Sequence, residues 1–250
     1  MSTGRIPMSD GRRWQQFNIA SERPQQAADL LARMADWAPA ALAAGQLSAC
    51  FFMQKPPGLR IRLADAAPGL ALLLEGPGIS VTPARYVAET FLFDGPAGMR
   101  LAHDVFTADT LAICDHVAAG APGNAHRLSQ ALMQALLEGV GLDAFECWDV
   151  WMRTLVLRDG NWRAITPGPP HPERLPAVPA AYLARLSACS PERAQLAFPS
   201  GPRRILPFLL LFHFNRMGFD AATQRALAAE MASRCHPRVA VEAEALAWAD

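Results

Sequence analysis

Arg60 and Arg62 stand two positions apart in Gly58-Leu59-Arg60-Ile61-Arg62-Leu63, with apolar residues beside each. Strand side chains point alternately to opposite faces, so both guanidinium groups share one face while Leu59, Ile61 and Leu63 take the other. Paired guanidinium forks suit a carboxylate or another anion. The plainer alternative is a solvated strand face. Lys55, three residues before Gly58, is a further substrate-binding candidate. His103, His116 and His126 are too scattered to read as a ligand set, so no metal is expected. His171 reads as a solvated loop residue. No Gly-rich phosphate loop, nucleophile elbow or dinucleotide fingerprint occurs, and no organic cofactor is implied.

The elements that must position these groups come from a chain of 250 residues, 51% hydrophobic and 18% charged, which is enough to bury a sizeable core. Lys+Arg and Asp+Glu both number 23, so no basic excess marks a nucleic-acid footprint. Cys50, Cys114, Cys147, Cys189 and Cys235 are odd in number and widely spaced, which reads as reduced, mostly buried thiols in a cytoplasmic protein. No signal-peptide pattern and no run of membrane-spanning length is present.

Trp14 to Ile19 reads as a strand, and Pro24 opens a helix bearing Leu30, Leu31, Met34 and Trp37 on one face, closed by Pro39 and Gly45. Leu47 to Gln54 and Leu59 to Leu63 read as strands joined by a Pro56-Pro57-Gly58 turn, followed by a strand from Ile79 to Tyr86. Gly95-Pro96 opens a long amphipathic helix whose buried stripe is Met99, Ala102, Phe106, Ile113 and Val117, with Arg100, His103 and Asp104 off it. Asp109 falls on that apolar stripe and needs a buried donor. A second helix runs from about Ala125 to Gly141. Trp148, Trp151 and Trp162 surround an Asp159-Gly160-Asn161 turn, and residues 166–179 hold six prolines and read as a loop or lid. From Pro179 onward the chain is helical and closes with Leu206 to Met217 and Ala221 to Cys235. The fold class is α+β: a small mixed or antiparallel sheet flanked by helices, with a helical C-terminal half. It is expected as a single domain over 1–250, with 1–12 and 236–250 as peripheral tails.

Three blocks carry a family resemblance. They are the aromatic pair Phe51-Phe52 leading to Gly58-Leu59-Arg60-Ile61-Arg62, the stretch Tyr86-Val87-Ala88-Glu89-Thr90-Phe91-Leu92-Phe93-Asp94-Gly95, and Phe212-His213-Phe214-Asn215-Arg216. In this order they resemble the lantibiotic dehydratase C-terminal domain, also called the thiopeptide-type bacteriocin biosynthesis domain, from about Trp14 to about Met231. The resemblance implies a peptide-modifying enzyme acting on a ribosomally made precursor peptide. One branch eliminates glutamate from glutamylated Ser or Thr to leave dehydroamino acids. The other joins two dehydroalanines in a formal four-plus-two aza-cycloaddition to a pyridine.

By that resemblance, Arg62, His213, Glu89 and Tyr86 are catalytic candidates, and Arg60, Lys55, Asn215 and Arg216 bind substrate. Elimination requires a base for the Cα proton, donors for the developing enolate and cations for the departing carboxylate. Two departures bear on it. Leu92 stands where eliminating members often carry arginine. Leu211 stands where they carry histidine, the nearest being His213, two residues before Asn215. At about 100° per residue, a two-residue displacement turns the imidazole to a different face. Cycloaddition leans on orienting two distant residues more than on strong acid-base groups. The alternative from another class is a non-catalytic peptide-binding or complex-organising subunit of a split dehydratase. A separate glutamylating subunit is a candidate partner, and homodimerisation stays open. No direct nucleic-acid or membrane partner is expected.

Overall fold

The computed structural model describes residues 10–55, 58–120, 122–165 and 174–238. The Pro56-Pro57 turn and most of the proline-rich loop therefore lie outside the described residues. The chain divides into two compact units, residues 1–122 with 196–198, and 123–195 with those from 199 onward.

In the first unit, four segments pair into one antiparallel sheet: β1 (Trp14–Ser21), β2 (Ala49–Lys55), β3 (Gly58–Ala64) and β4 (Ile79–Ala84). The order across the sheet is β2-β3-β1-β4. The register sets Arg62 opposite Gln16 on β1 and Phe51 on β2, and Arg60 opposite Asn18 and Met53. Leu59, Ile61 and Leu63 occupy the other face and are buried, as the alternation requires.

Two helices complete this unit. Helix α1 (Pro24–Ala43) opens with Pro24 at its first position and Gln26 Oε1 accepting from Arg23 N–H at 2.8 Å. It packs on β1 and on α2 (Pro96–Ala118). Pro39 lies inside α1 instead of ending it, and the chain leaves through Gly45, whose φ of 67° is left-handed. Helix α2 runs along the free edge of β2. The N–H groups of Cys50 and Phe52 donate to the hydroxyls of Thr107 and Thr110 at 3.2 and 3.3 Å. Those threonines sit one helical turn apart and supply the acceptors an edge strand otherwise lacks. This corrects the amphipathic expectation for α2. It is buried on most sides from Gly98 to Cys114, His103 and Asp109 included, because it meets the sheet edge on one flank and α1 on another.

Gly98 lets α2 begin where it does. A Cβ there would overlap the Phe93 carbonyl oxygen and stand 2.9 Å from that of Ala197. Gly98→Ala is therefore expected to cost roughly 3 kcal/mol, the upper range for overpacking, because backbone has to move. Thermal unfolding of the variant checks this, and an unchanged midpoint contradicts it.

The second unit is helical: α3 (Ala125–Gly139), α4 (Ala144–Val156), α5 (Ala180–Leu186), α6 (Pro191–Ala197), α7 (Pro202–Arg216) and α8 (Ala221–Arg234), with the end of α6 grouped with the first unit. Trp148 and Trp151 lie on α4, and the expected turn follows its end, where Asp159 takes a left-handed φ of 55° and Gly160 N–H donates to the Leu155 carbonyl at 3.0 Å. The start of α4 is written in Asp143-x-x-Glu146, a capping box in which Asp143 Oδ1 accepts from Glu146 N–H at 2.8 Å and Glu146 Oε2 from Asp143 N–H at 3.2 Å. Helices α4, α7 and α8 pack together around Val150, Trp151, Phe214, Leu227 and Met231. No helix among the described residues is long and apolar enough to cross a membrane.

Candidate active site

The strand alternation of β3 delivers Arg62 to a face lined by aromatic residues, and its surroundings hold it there. Arg62 Nε donates to Gln16 Oε1 at 2.8 Å. The guanidinium carbon lies 4.4 Å from the centre of the Tyr86 ring and 4.9 Å from that of Phe51. A planar cation over aromatic faces is attracted by their negative quadrupole, more strongly once water is excluded. Arg62 is 5% exposed. Arg60 shares its face but lies nearer the hairpin turn and is exposed, as is Lys55 at the end of β2. The expected arginine pair is thus split by depth, one guanidinium enclosed under Tyr86 and the other open to solvent.

Tyr86 comes from the irregular segment after β4, and its hydroxyl lies 2.8 Å from His103 Nε2 on α2. His103 Nδ1 in turn lies 2.7 Å from Asp10 Oδ2. Asp10 also accepts from Arg12 N–H at 3.0 Å and from the Trp14 indole N–H at 3.2 Å. An ionised carboxylate can only accept, so Nδ1 carries the imidazole proton and Nε2 accepts the phenol proton. The lone pairs of the Tyr86 oxygen are left facing away from the imidazole. Trp14, Phe51 and Phe106 pack around the His103 ring at centroid distances of 4.4, 5.5 and 6.2 Å. Hydrogen bonds in such a dry, apolar enclosure polarise one another.

The proton affinities follow from burial and partners. Burial holds the His103 imidazole below the ordinary 6.5, outweighing the upward pull of Asp10, so His103 is neutral. Burial would raise the Asp10 carboxyl, but its bonds to His103, Arg12 and Trp14 keep it below 3.8. Burial pushes the Tyr86 phenol up, with Arg62 pulling the other way and Glu89 and Asp10 adding to the rise. Sign follows from proton uptake. As pH falls below 6.5 the unfolded chain protonates its histidine first, so the folded state loses stability progressively. The Asp10 contribution goes as pH falls below 3.8. Melting temperature should accordingly decline with acid below pH 6.5, and His103→Gln should flatten the first part of that decline. A wild-type curve with no slope there contradicts the buried neutral imidazole.

Glu89 stands three residues beyond Tyr86, and its Oε2 is buried with no hydrogen-bond partner among the described residues. An unpartnered buried acceptor is a costly group and invites a donor from outside the chain. Val87 and Phe91 on either side are 68% and 83% exposed, giving the segment an open apolar surface.

The expected catalytic residues divide between the units. Arg62, Tyr86 and Glu89 cluster in the first. His213, Asn215 and Arg216 lie on α7 in the second. His213 is fully buried with Nε2 2.7 Å from Ser129 Oγ, Asn215 Oδ1 accepts from Gln224 Nε2 at 3.1 Å, and Arg216 is fully buried. Two members of the buried chain were missed by reasoning from sequence. The expectation that residues 1–12 form a peripheral tail fails at Asp10, which is 6% exposed. Arg12 Nη2 also reaches Asp104 at 2.6 Å, and Arg100 Nη1 donates to the Asp10 carbonyl at 3.0 Å, tying this segment to α2. His103 lies on the buried side of α2, not off it as expected. Its signal was the spacing to Met99 and Phe106, four residues back and three ahead, which puts it on their face.

The fold is similar to that in the crystal structure of the tRNA-dependent lantibiotic dehydratase MibB from Microbispora sp. 107891, at 14% identity and a TM-score of 0.59 over 89% of this chain. The chain spans 27% of that protein's length. TsrL is 17% identical with a TM-score of 0.47, over 90% of this chain and 94% of its own. The pyridine synthase TbtD, from thiomuracin biosynthesis, is 18% identical with a TM-score of 0.43, over 89% of this chain and 97% of its own. No curated protein matches the sequence. The model of the lantibiotic biosynthesis dehydratase C-terminal family matches residues 14–235, which holds the strand of Arg62, the Tyr86–Glu89 segment and α7, and the chain belongs to that family.

Proposed function

We propose that this chain is a peptide-modifying enzyme in the biosynthesis of a ribosomally made, post-translationally modified peptide, and that it carries out the formal aza-cycloaddition of two dehydroalanines. Family membership supports the pathway. The reaction rests on one observation, the chain Tyr86–His103–Asp10 laid beside a guanidinium that is itself enclosed.

An enclosed Arg62 is poorly disposed to receive a departing glutamate, and Leu92 offers no second cation beside it. Proton transfer fits the geometry better. For a dehydroalanine amide to become a 2-azadiene, one proton must leave nitrogen and one must reach the carbonyl oxygen, with no net gain or loss. The Tyr86 oxygen takes the first while its own proton moves to His103 Nε2, where the Asp10 carboxylate stabilises the imidazolium that forms. The stored proton then returns through Tyr86 to the oxygen. Ring closure forms two σ bonds between diene and alkene. Loss of water and of the amide-bearing leader portion then gives the aromatic pyridine. Holding both dehydroalanines within reach supplies most of the acceleration. The orphaned Glu89 Oε2 would accept an N–H of the bound peptide.

Glutamate elimination is the second reading, favoured by the exposed Arg60 on the same sheet face, which could meet a leaving carboxylate. Mass spectrometry of candidate precursor peptide incubated with the purified chain separates the readings. A dehydrated precursor converted to a pyridine-bearing core with release of its leader supports cycloaddition. Loss of glutamic acid from a glutamylated precursor moves the assignment to elimination. Tight binding with no mass change to either moves it to a non-catalytic subunit.

A further inference from the structure

Helix α4 carries two apolar stripes where a helix on a protein surface ordinarily needs one. Cys147, Val150, Trp151, Thr154 and Leu155 form the buried stripe. Phe145, Trp148, Met152 and Val156, spaced three or four apart, form the other and face outward, with Phe145 53% and Val156 50% exposed. Together with Pro207 and Phe208 of α7, Trp148, Met152 and Val156 line a groove of about 460 Å³. A second, polar hollow of about 500 Å³ shares Arg153 and Arg204 with this groove. Arg153 is held by Asp149 at 2.9 Å, and Arg203 lies 3.7 Å from Glu146. Arg204, exposed in the first turn of α7, has no ion pair among the described residues, and as a cation at a helix N-terminus it opposes the helix dipole.

We infer that this surface docks an apolar peptide segment carrying a carboxylate: aliphatic or aromatic side chains fill the groove, and the acid meets Arg204. The charge argument selects the occupant, since one unmatched cation next to an apolar trough calls for one acid beside apolar residues. The surface lies wholly within the second unit and shares no residue with Arg62, Tyr86 or Glu89. It rests on the proposed function only in taking a peptide as the occupant.

The test is fluorescence anisotropy of a short fluorescein-labelled peptide of Leu, Ala and Glu against the full chain, beside a twin with Lys in place of Glu. Saturable binding of the Glu peptide, about tenfold weaker to Val156→Asp and to Arg204→Glu, is expected. Binding of the Lys peptide should be restored in Arg204→Glu, which a merely misfolded variant would not do. Equal binding of both peptides to wild type overturns the inference, as does no binding of either. The chain's own residues 239–250 carry Glu242, Glu244 and Asp250 among apolar residues. Probe binding that emerges only in a Glu242→Lys, Glu244→Lys variant overturns the inference too and gives the surface to that segment. Turnover measured alongside keeps this result apart from the fate of the reaction, because none of these substitutions touches the Tyr86 site.

Discussion

Tyr86→Phe should lower turnover by between about a hundred- and ten-thousand-fold, the usual worth of a positioned proton-transfer group, while leaving the fold in place. The phenyl ring keeps its place over the Arg62 guanidinium and its edge contacts with Trp14 and Phe51 at 5.7 and 5.9 Å. What goes is one oxygen. The His103 Nε2 then lacks its donor, and an unsatisfied acceptor in a dry site costs about 1–3 kcal/mol. The variant is therefore expected to melt somewhat earlier and still give a cooperative transition. Precursor conversion followed by mass spectrometry, with thermal unfolding beside it, checks both halves. Turnover within a few-fold of wild type would remove Tyr86 from the chemistry and with it the relay as a catalytic device.

His103→Gln refines the same prediction. Glutamine can still accept from Tyr86, but it cannot store a proton for Asp10 to stabilise. Its rate should fall with the wild-type acid limb below pH 6.5 lost, whereas a residue that only props up Tyr86 would keep that limb.

The sheet was legible because its signals are local. Strict alternation in Leu59 to Leu63 fixes which face Arg62 takes, and proline at Pro24 and Pro96 marks helix starts that need no tertiary information. Helix α4 was hidden by its three-dimensional use. With apolar residues on two faces, it has no single stripe to read, and only the Asp143–Glu146 box announces it. Arg62, Tyr86 and Glu89 came from motif likeness and proved to be neighbours. Asp10 and His103 did not, because they are 93 residues apart and neither stands in a motif. A buried polar chain is assembled by packing: Trp14 on β1 and the His103 turn of α2 close on each other, and sequence spacing holds no trace of that closure.

Burial also changes what should be expected of Arg62. Were it an open anion clamp, Arg62→Ala would remove activity and leave stability alone. Enclosed as it is, truncation to alanine vacates the space between Tyr86 and Phe51 and strips Gln16 of its donor, so a loss of roughly 3 kcal/mol in stability is expected with any loss of turnover. The informative variants keep volume. Arg62→Met retains the stem without the charge, and Arg62→Lys retains the charge without the planar fork that stacks on the ring and reaches Gln16. A cation over the Tyr86 ring favours the negative charge that builds on the phenol oxygen as its proton moves to His103, so removing it should act on the chemical step. For Arg62→Met the expected result is kcat down by tenfold or more, about 1.4 kcal/mol, with KM within a few-fold, and Arg62→Lys in between. A rise in KM with kcat held would mean instead that Arg62 binds an anionic group of the substrate, and would favour elimination over cycloaddition.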